Sequence, residues 1–310
     1  MKIKIATRGS QLALAQANYT KNRLSSICPD ATISIVEIST KGDRDKSDSL
    51  YKSNSVGFFT SEVEKALLDK VADVAVHSLK DLPTTITKGL VVSAIPEREM
   101  VSDVIIAANK LSSIHDLPQN VSVGTSSLRR ITQLKQIRPD LDCQPLRGNV
   151  ETRIRKVREG RVDAIVVARA GLNRLGLSEY ISLVLPPEEF IPAPGQGALA
   201  IQTRQDDTEL CELVAKLEDL NARITTQIER QILAGLHGGC SIPLGVYSYL
   251  NNGTINIHGI LCNLAATKQI RKNVSCPVDK AMEAAETITQ QILDEGGREI
   301  LEELRCEKKH

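Results

Sequence analysis

The chain contains no tryptophan, and five tyrosines with three phenylalanines leave it only 3% aromatic. That scarcity argues against a ligand held by ring stacking, and so against single-stranded nucleic-acid platforms of that design. An excess of charge is missing too, since 39 Lys and Arg face 38 Asp and Glu for a net charge of +1. Without a global field, neither nucleic acid nor an anionic membrane is an expected partner, and any positive patch must be local. No apolar run approaches bilayer length; residues 164–168 make a buried strand at most. The opening Met1-Lys2-Ile3-Lys4-Ile5 lacks the apolar core of a signal peptide. Seven cysteines, an odd number without metal-ligand spacing, fit reduced thiols and no metal site, hence a cytoplasmic location.

What is present is a soluble globular composition, 41% hydrophobic and 25% charged over 310 residues, long enough for two or three domains. Strand and helix signals alternate from the start. Ile3 to Ala6 reads as a strand, and Ser10 as the N-cap of a helix over 11–24, a helix start that can hold an anion. Ile33, Ile35 and Ile38 suggest a second strand, and the polar stretch 40–55 a long loop over a site. Ser61 and Glu64 have the spacing of a capping box for a helix ending near Lys70. Residues 161–167 echo 71–76, a weak internal repeat that fits two similar lobes of parallel sheet with helices on both faces. The proline-rich stretch 186–195 suggests a crossing between lobes, after which residues 198–203 return to the first sheet. Beyond about Leu220 the order is helix, loop, three alternating strands and a final helix, an α+β pattern. The expected domains are therefore 1–97 with 198–218, then 98–197, then 219–310.

Charged residues collect where α/β folds place ligands, beyond the carboxyl ends of strands. Arg8 follows the first strand, and Lys80 and Asp81 follow another. Arg129 and Arg130 enter a helix after Thr125-Ser126-Ser127, Arg147-Gly148 follows a short strand with Arg153 in the next helix, and Arg169 and Arg174 flank the last. One surface arginine is ordinarily a solvated charge; many at corresponding strand ends suggest a cleft for a polycarboxylate or polyphosphate. Asp81, the lone acid among them, suits a transient cation. The second focus is Leu236-His237-Gly238-Gly239-Cys240-Ser241-Ile242-Pro243, between a helix over 221–236 and a strand from Leu244. Two glycines free the backbone to present the thiol, and Pro243 stiffens the exit. A small buried cysteine in a tight turn is the commoner fate of such a residue; a nucleophile or covalent attachment point is the alternative.

Taken together, Ile5-Ala6-Thr7-Arg8, residues 76–83 (VHSLKDLP), 123–130 (VGTSSLRR), 146–150 (LRGNV), 170–176 (AGLNRLG), Gly195-Gln196-Gly197-Ala198 and Gly238-Gly239-Cys240 resemble the porphobilinogen deaminase family. The likeness spans essentially the whole chain. It implies an α/β fold of two similar doubly wound lobes like type II periplasmic binding proteins, plus a C-terminal α+β domain. It also implies a dipyrromethane cofactor joined by a thioether to Cys240, and porphobilinogen as substrate. Four units would be condensed with loss of ammonia and released hydrolytically as hydroxymethylbilane by a monomer.

By the same resemblance, Asp81, Arg8, Arg147 and Arg153 match catalytic positions. Lys80, Asp81, Thr125, Ser126, Ser127, Arg129, Arg130, Arg147 and Gly148 match positions that hold the cofactor with Cys240. Arg8, Ser10, Lys52, Phe59, Arg147, Arg153, Ala168, Gly171, Arg174 and Gln196 match substrate positions, with a cap on the domain crossing as the alternative for Gln196. His77 is expected to pack or support rather than act as a base. Two stretches depart from the family pattern. The loop reads Lys52-Ser53-Asn54-Ser55-Val56-Gly57-Phe58-Phe59, without paired glycines or a second lysine, and 97–103 lacks the usual acidic-proline-arginine run. Both bear on loop behaviour and rate, not on the reaction class. A solute-binding protein or ligand-sensing domain shares the two-lobed expectation, but needs neither Cys240 on a glycine loop nor Asp81 among arginines.

Overall fold

Residues 74–76 and 164–168 read as unbroken apolar runs because their strands are buried on both faces, which requires helices on both sides of the sheet. The computed structural model describes residues 1–40, 60–236 and 242–307, and it divides into two compact units. The first holds residues 1–99 and 197–224, the second residues 100–196 and 225–310.

In the first unit, β1 (Lys2–Thr7), β2 (Thr32–Glu37), β3 (Val74–Ser78), β4 (Leu90–Ala94) and β10 (Leu199–Arg204) form one sheet in the order β2-β1-β3-β10-β4. Ile3, Ile5, Val74 and Val76 pack on one face with Leu24 of α1 (Gln11–Ile27) and with Leu210 and Val214 of α6 (Thr208–Ala215). Ala6 and Ala75 turn to the other face, against Val63, Ala66 and Leu67 of α2 (Ser61–Leu68). Ser10 caps α1, its hydroxyl accepting a hydrogen bond from Ala13 N at 3.3 Å.

The capping box expected at Ser61 and Glu64 does not form. The N-cap of α2 is Thr60 and makes no side-chain cap, while the Glu64 carboxylate turns inward to Gln202 and Thr87. A buried acid offered two interior donors gains more from them than from a solvated backbone N–H.

The second unit repeats the plan with β5 (Asp103–Ala107), β6 (Ser122–Gly124), β7 (Asp142–Gln144), β8 (Ala164–Ala168) and β9 (Leu183–Val184), ordered β7-β6-β8-β5-β9. Val123, Ala164 and Val166 pack with Leu134 of α3 (Leu128–Ile137) on one face. Ile165 and Val167 pack on the other with Ile154 of α4 (Val150–Arg158) and Leu172 of α5 (Arg169–Leu175). The echo between 71–76 and 161–167 corresponds to the middle strands β3 and β8. Neither sheet is wholly parallel: β10 runs antiparallel to β3 and β4, and β5 runs antiparallel to β8 and β9.

The C-terminal part follows α7 (Leu220–Gly235), with β11 (Leu244–Asn251), β12 (Thr254–Cys262) and β13 (Gln269–Pro277) in an antiparallel meander. Helices α8 (Ala281–Ile292) and α9 (Arg298–Glu307) complete it, with Ile288 and Ile292 lying against Gly259. Gly245 is required where β11 passes the second sheet's connection, because a Cβ there would stand 2.6 Å from the Ile191 carbonyl oxygen. The six described cysteines are free thiols. No helix among the described residues is long and apolar enough to cross a membrane.

Candidate active site

In the first unit the residues expected to carry chemistry emerge at the carboxyl ends of β1 and β3. Arg8 follows β1 and is half-buried, one residue pair ahead of the Ser10 cap. The chain leaving β3 turns through one 3-10 turn, Leu79–Asp81, which delivers Lys80 and Asp81 half-buried side by side. Leu79 N bonds to the Ala198 carbonyl at 3.0 Å and seats the start of that turn on the strand returning to this sheet. Among the described residues no donor reaches the Asp81 carboxylate, so its charge remains available to a ligand. Upstream, Gln16 Nε2 donates to Ser78 Oγ at 2.9 Å, and buried His77 meets Gln202.

In the second unit the corresponding strand ends carry the serine and arginine residues. Thr125 is fully buried beyond β6 and accepts from Ser127 N at 3.3 Å. Ser126 Oγ donates to the Leu146 carbonyl and accepts from Leu146 N, both at 3.1 Å, which ties this turn to the one bearing Arg147 and Gly148. Gly148 has φ of +117°, and a Cβ there would press on Thr152 at 2.9 Å, so glycine is demanded where the backbone turns into α4. The Gly148 carbonyl accepts from Arg153 Nε at 2.8 Å. Ala168 is half-buried at the end of β8, Gly171 is buried in α5, and Arg174 lies half-buried in its last turn.

Arg129 and Arg130 meet at an acid that sequence reasoning did not single out. Asp103, fully buried at the start of β5, lies 2.7 Å through Oδ2 from Arg129 Nη1, and accepts at Oδ1 from Arg130 Nη2 at 2.7 Å. Gln196 Nε2 adds a bond to the same Oδ1 at 3.0 Å and another to the Val101 carbonyl at 2.7 Å. Arg129 also donates to the Ile191 carbonyl at 2.8 Å, and Arg130 to that of Val166 at 3.0 Å. Burial alone would raise the Asp103 carboxyl, but the two guanidiniums outweigh it and hold the group well below the ordinary carboxylate range. Burial lowers Arg129 from its usual value, with Asp103 opposing and Arg130 adding to the shift. Burial, and then the charge of Arg130, bring Arg153 down to about 10. Arg153 therefore stays charged at neutral pH, and among the described residues Asp103 is the one acid that ion-pairs with any of the three guanidiniums. That surplus of positive charge suits a ligand carrying several carboxylates. The dipyrromethane that the resemblance implies, with its acetate and propionate side chains, is a ligand of that kind.

A signal for Asp103 was present: an acid opening the otherwise apolar strand Asp103-Val104-Ile105-Ile106-Ala107 must find cations when buried. Asp103→Asn is expected to cost about 3–5 kcal/mol of stability, the usual penalty for leaving a buried partner charge uncompensated. In thermal unfolding that corresponds to a midpoint lowered by on the order of 10 °C. An unchanged midpoint would mean that the two arginines do not need this counter-ion. Because the carboxyl is depressed in the folded state, its contribution is complete above the ordinary carboxylate range and is lost only as strong acid protonates it. Lys52, Phe59 and Cys240 lie outside the described residues, as does Val56.

Residues 3–212 match the family model "Porphobilinogen deaminase, dipyromethane cofactor binding domain", and residues 223–294 match "Porphobilinogen deaminase, C-terminal domain". The chain belongs to the porphobilinogen deaminase family. Porphobilinogen deaminases of Chlorobium phaeovibrioides and Nitratidesulfovibrio vulgaris are each 43% identical to it, over 97% and 98% of this chain and 97% of their own lengths. That of Syntrophomonas wolfei is 42% identical over 98% of this chain and 99% of its own. Among solved structures, an arginine-transport periplasmic binding protein from Legionella pneumophila covers 70% of this chain and 92% of its own at 14% identity, with a TM-score of 0.41. Membership of the porphobilinogen deaminase family makes the chain a transferase of tetrapyrrole biosynthesis with a dipyrromethane cofactor.

Proposed function

We propose that the chain is a hydroxymethylbilane synthase, joining four porphobilinogen units head to tail on a covalent dipyrromethane primer with loss of ammonia and final hydrolytic release. The observation that carries this reading is the guanidinium surplus around Asp103, which a polycarboxylate pyrrole chain would balance. The cofactor, attached through the thiol of Cys240, supplies the pyrrole carbon to which each unit is added. Arg129, Arg130 and Arg153 hold carboxylates by charge-assisted hydrogen bonds, each close unit-charge pair contributing about 4 kcal/mol near an effective dielectric of 20 before desolvation and screening. Lys80, Thr125, Ser126, Ser127, Arg147 and Gly148 complete the cofactor's hold.

Asp81 keeps a negative charge where the aminomethyl carbon of porphobilinogen becomes cationic as ammonia leaves. Its carboxylate also accepts pyrrole N–H bonds and assists proton transfer. Arg8, Ser10, Lys52, Phe59, Arg147, Ala168, Gly171, Arg174 and Gln196 serve with Arg153 in positioning substrate. The enzyme works as a cytoplasmic monomer. The test is the intact mass of the purified protein together with a turnover assay. The mass is expected to exceed the sequence mass by one dipyrromethane, and porphobilinogen is expected to yield ammonia and hydroxymethylbilane in a ratio of four to one. A fully active protein without the adduct would overturn the proposal.

A further inference from the structure

A polar chain within the first unit joins segments that flank the Leu79–Asp81 turn in sequence. Nε2 of His77 meets Gln202 Oε1 at 3.2 Å, Gln202 Nε2 donates to Glu64 Oε1 at 2.9 Å, and Thr87 Oγ1 donates to Glu64 Oε2 at 3.0 Å. His77, Gln202 and Glu64 are all buried, on β3, β10 and α2 respectively. Their donor and acceptor roles are forced in sequence. The Glu64 carboxylate can only accept, so the Gln202 amide nitrogen points at it and the amide oxygen points at His77. An amide oxygen can only accept, so His77 carries its proton on Nε2 and donates. Burial lowers the His77 pKa to about 4, the bond to Gln202 opposing the shift, so the imidazole is neutral at neutral pH.

The chain's two ends bracket the catalytic turn in sequence. His77 lies four residues before Asp81 and Thr87 six after it, and both are tied, directly or through Gln202, to the single carboxylate of Glu64. None of these groups is among the residues expected to bind cofactor or substrate. Helix packing does not call for them either, since three apolar side chains would fill the same interior without three mutually dependent polar groups. A hydrogen-bonded interior network of this kind favours one conformation.

We propose that His77 is a positioning residue for Asp81, acting through Gln202 and Glu64 to fix both flanks of the Leu79–Asp81 turn. The inference rests on the reading that Asp81 carries the chemistry. It predicts damage confined to the transition state, where a displacement of about 1 Å costs up to 100-fold. A residue acting only there lowers kcat and kcat/KM equally and leaves KM unchanged.

The experiment compares wild type with His77→Phe, His77→Gln and Thr87→Val. Rates are expressed per molecule carrying the dipyrromethane adduct, counted by intact mass, so that a smaller folded fraction is not mistaken for slower chemistry. His77→Phe is expected to lose on the order of 10-fold in kcat with an unchanged KM for porphobilinogen and normal adduct content. His77→Gln, which restores an N–H donor towards Gln202, should recover most of that loss, and Thr87→Val should lose a smaller factor from the other end. Wild-type kcat in His77→Phe, or a loss that His77→Gln does not relieve, overturns the proposal. Should His77→Phe fail to fold, a wild-type kcat in Thr87→Val overturns it, and a reduced kcat at unchanged KM supports it. Absence of the adduct from wild type would instead overturn the proposed function, so the two failures are distinct.

Discussion

Cys240→Ala is expected to yield a protein at its bare sequence mass, silent in the pyrrole colour test with acidic aldehyde reagent and without measurable turnover. The thiol is the attachment atom in the proposed chemistry, and no other side chain can replace a carbon–sulfur bond at that place. Alanine at Cys28, Cys143, Cys211, Cys262, Cys276 or Cys306 is expected to leave the adduct in place. Burial raises the pKa of Cys143, Cys262 and Cys276, which keeps these thiols protonated and poorly nucleophilic. Mass spectrometry of the seven single variants decides the matter, because adduct loss at any cysteine other than Cys240 contradicts the assignment.

Asp81→Asn is expected to retain the fold and lose turnover by about 100-fold or more, the usual cost of removing a preorganised electrostatic group. The amide has the shape of the carboxylate without the charge that opposes the developing cation. Little stability should be lost, because Asp81 is half-buried and no donor among the described residues depends on it. A thermal midpoint near that of wild type with a collapsed kcat is the signature. Near-normal turnover would assign the electrostatic role to another group. This outcome differs from that at Asp103, where the same change of acid to amide removes the counter-ion of two buried guanidiniums and strikes stability first.

The contrast between these two aspartates marks what was legible in the chain. The position of Asp81 could be read because it follows a strand-like run and sits beside Lys80, in the place where α/β folds expose side chains to ligands. The run Ile3 to Ala6 likewise announced a strand, and the apolar run of β8 a strand buried on both faces. The C-terminal helix and three strands followed from their own periodicity. Local pattern failed at Glu64, whose spacing from Ser61 mimicked a capping box while its partners, Gln202 and Thr87, came from distant segments. It failed also at β5 and β10, whose antiparallel direction depends on where the chain crosses between sheets.

The sequence by itself determined the chemistry on offer: guanidiniums and one lone acid at strand ends, a thiol between glycines and proline, and no aromatic platform. These are properties of residue type and short-range order, and they survive whatever packs around them. Only the tertiary structure decided which of these charges meet an acid inside the protein and which do not. Arg129 and Arg130 turn out to share Asp103, Arg153 meets no acid among the described residues, and His77 is held neutral by burial behind Gln202. The physical reason is that the energy of a charge depends on distance and burial, and both are set by contacts between segments far apart in the chain.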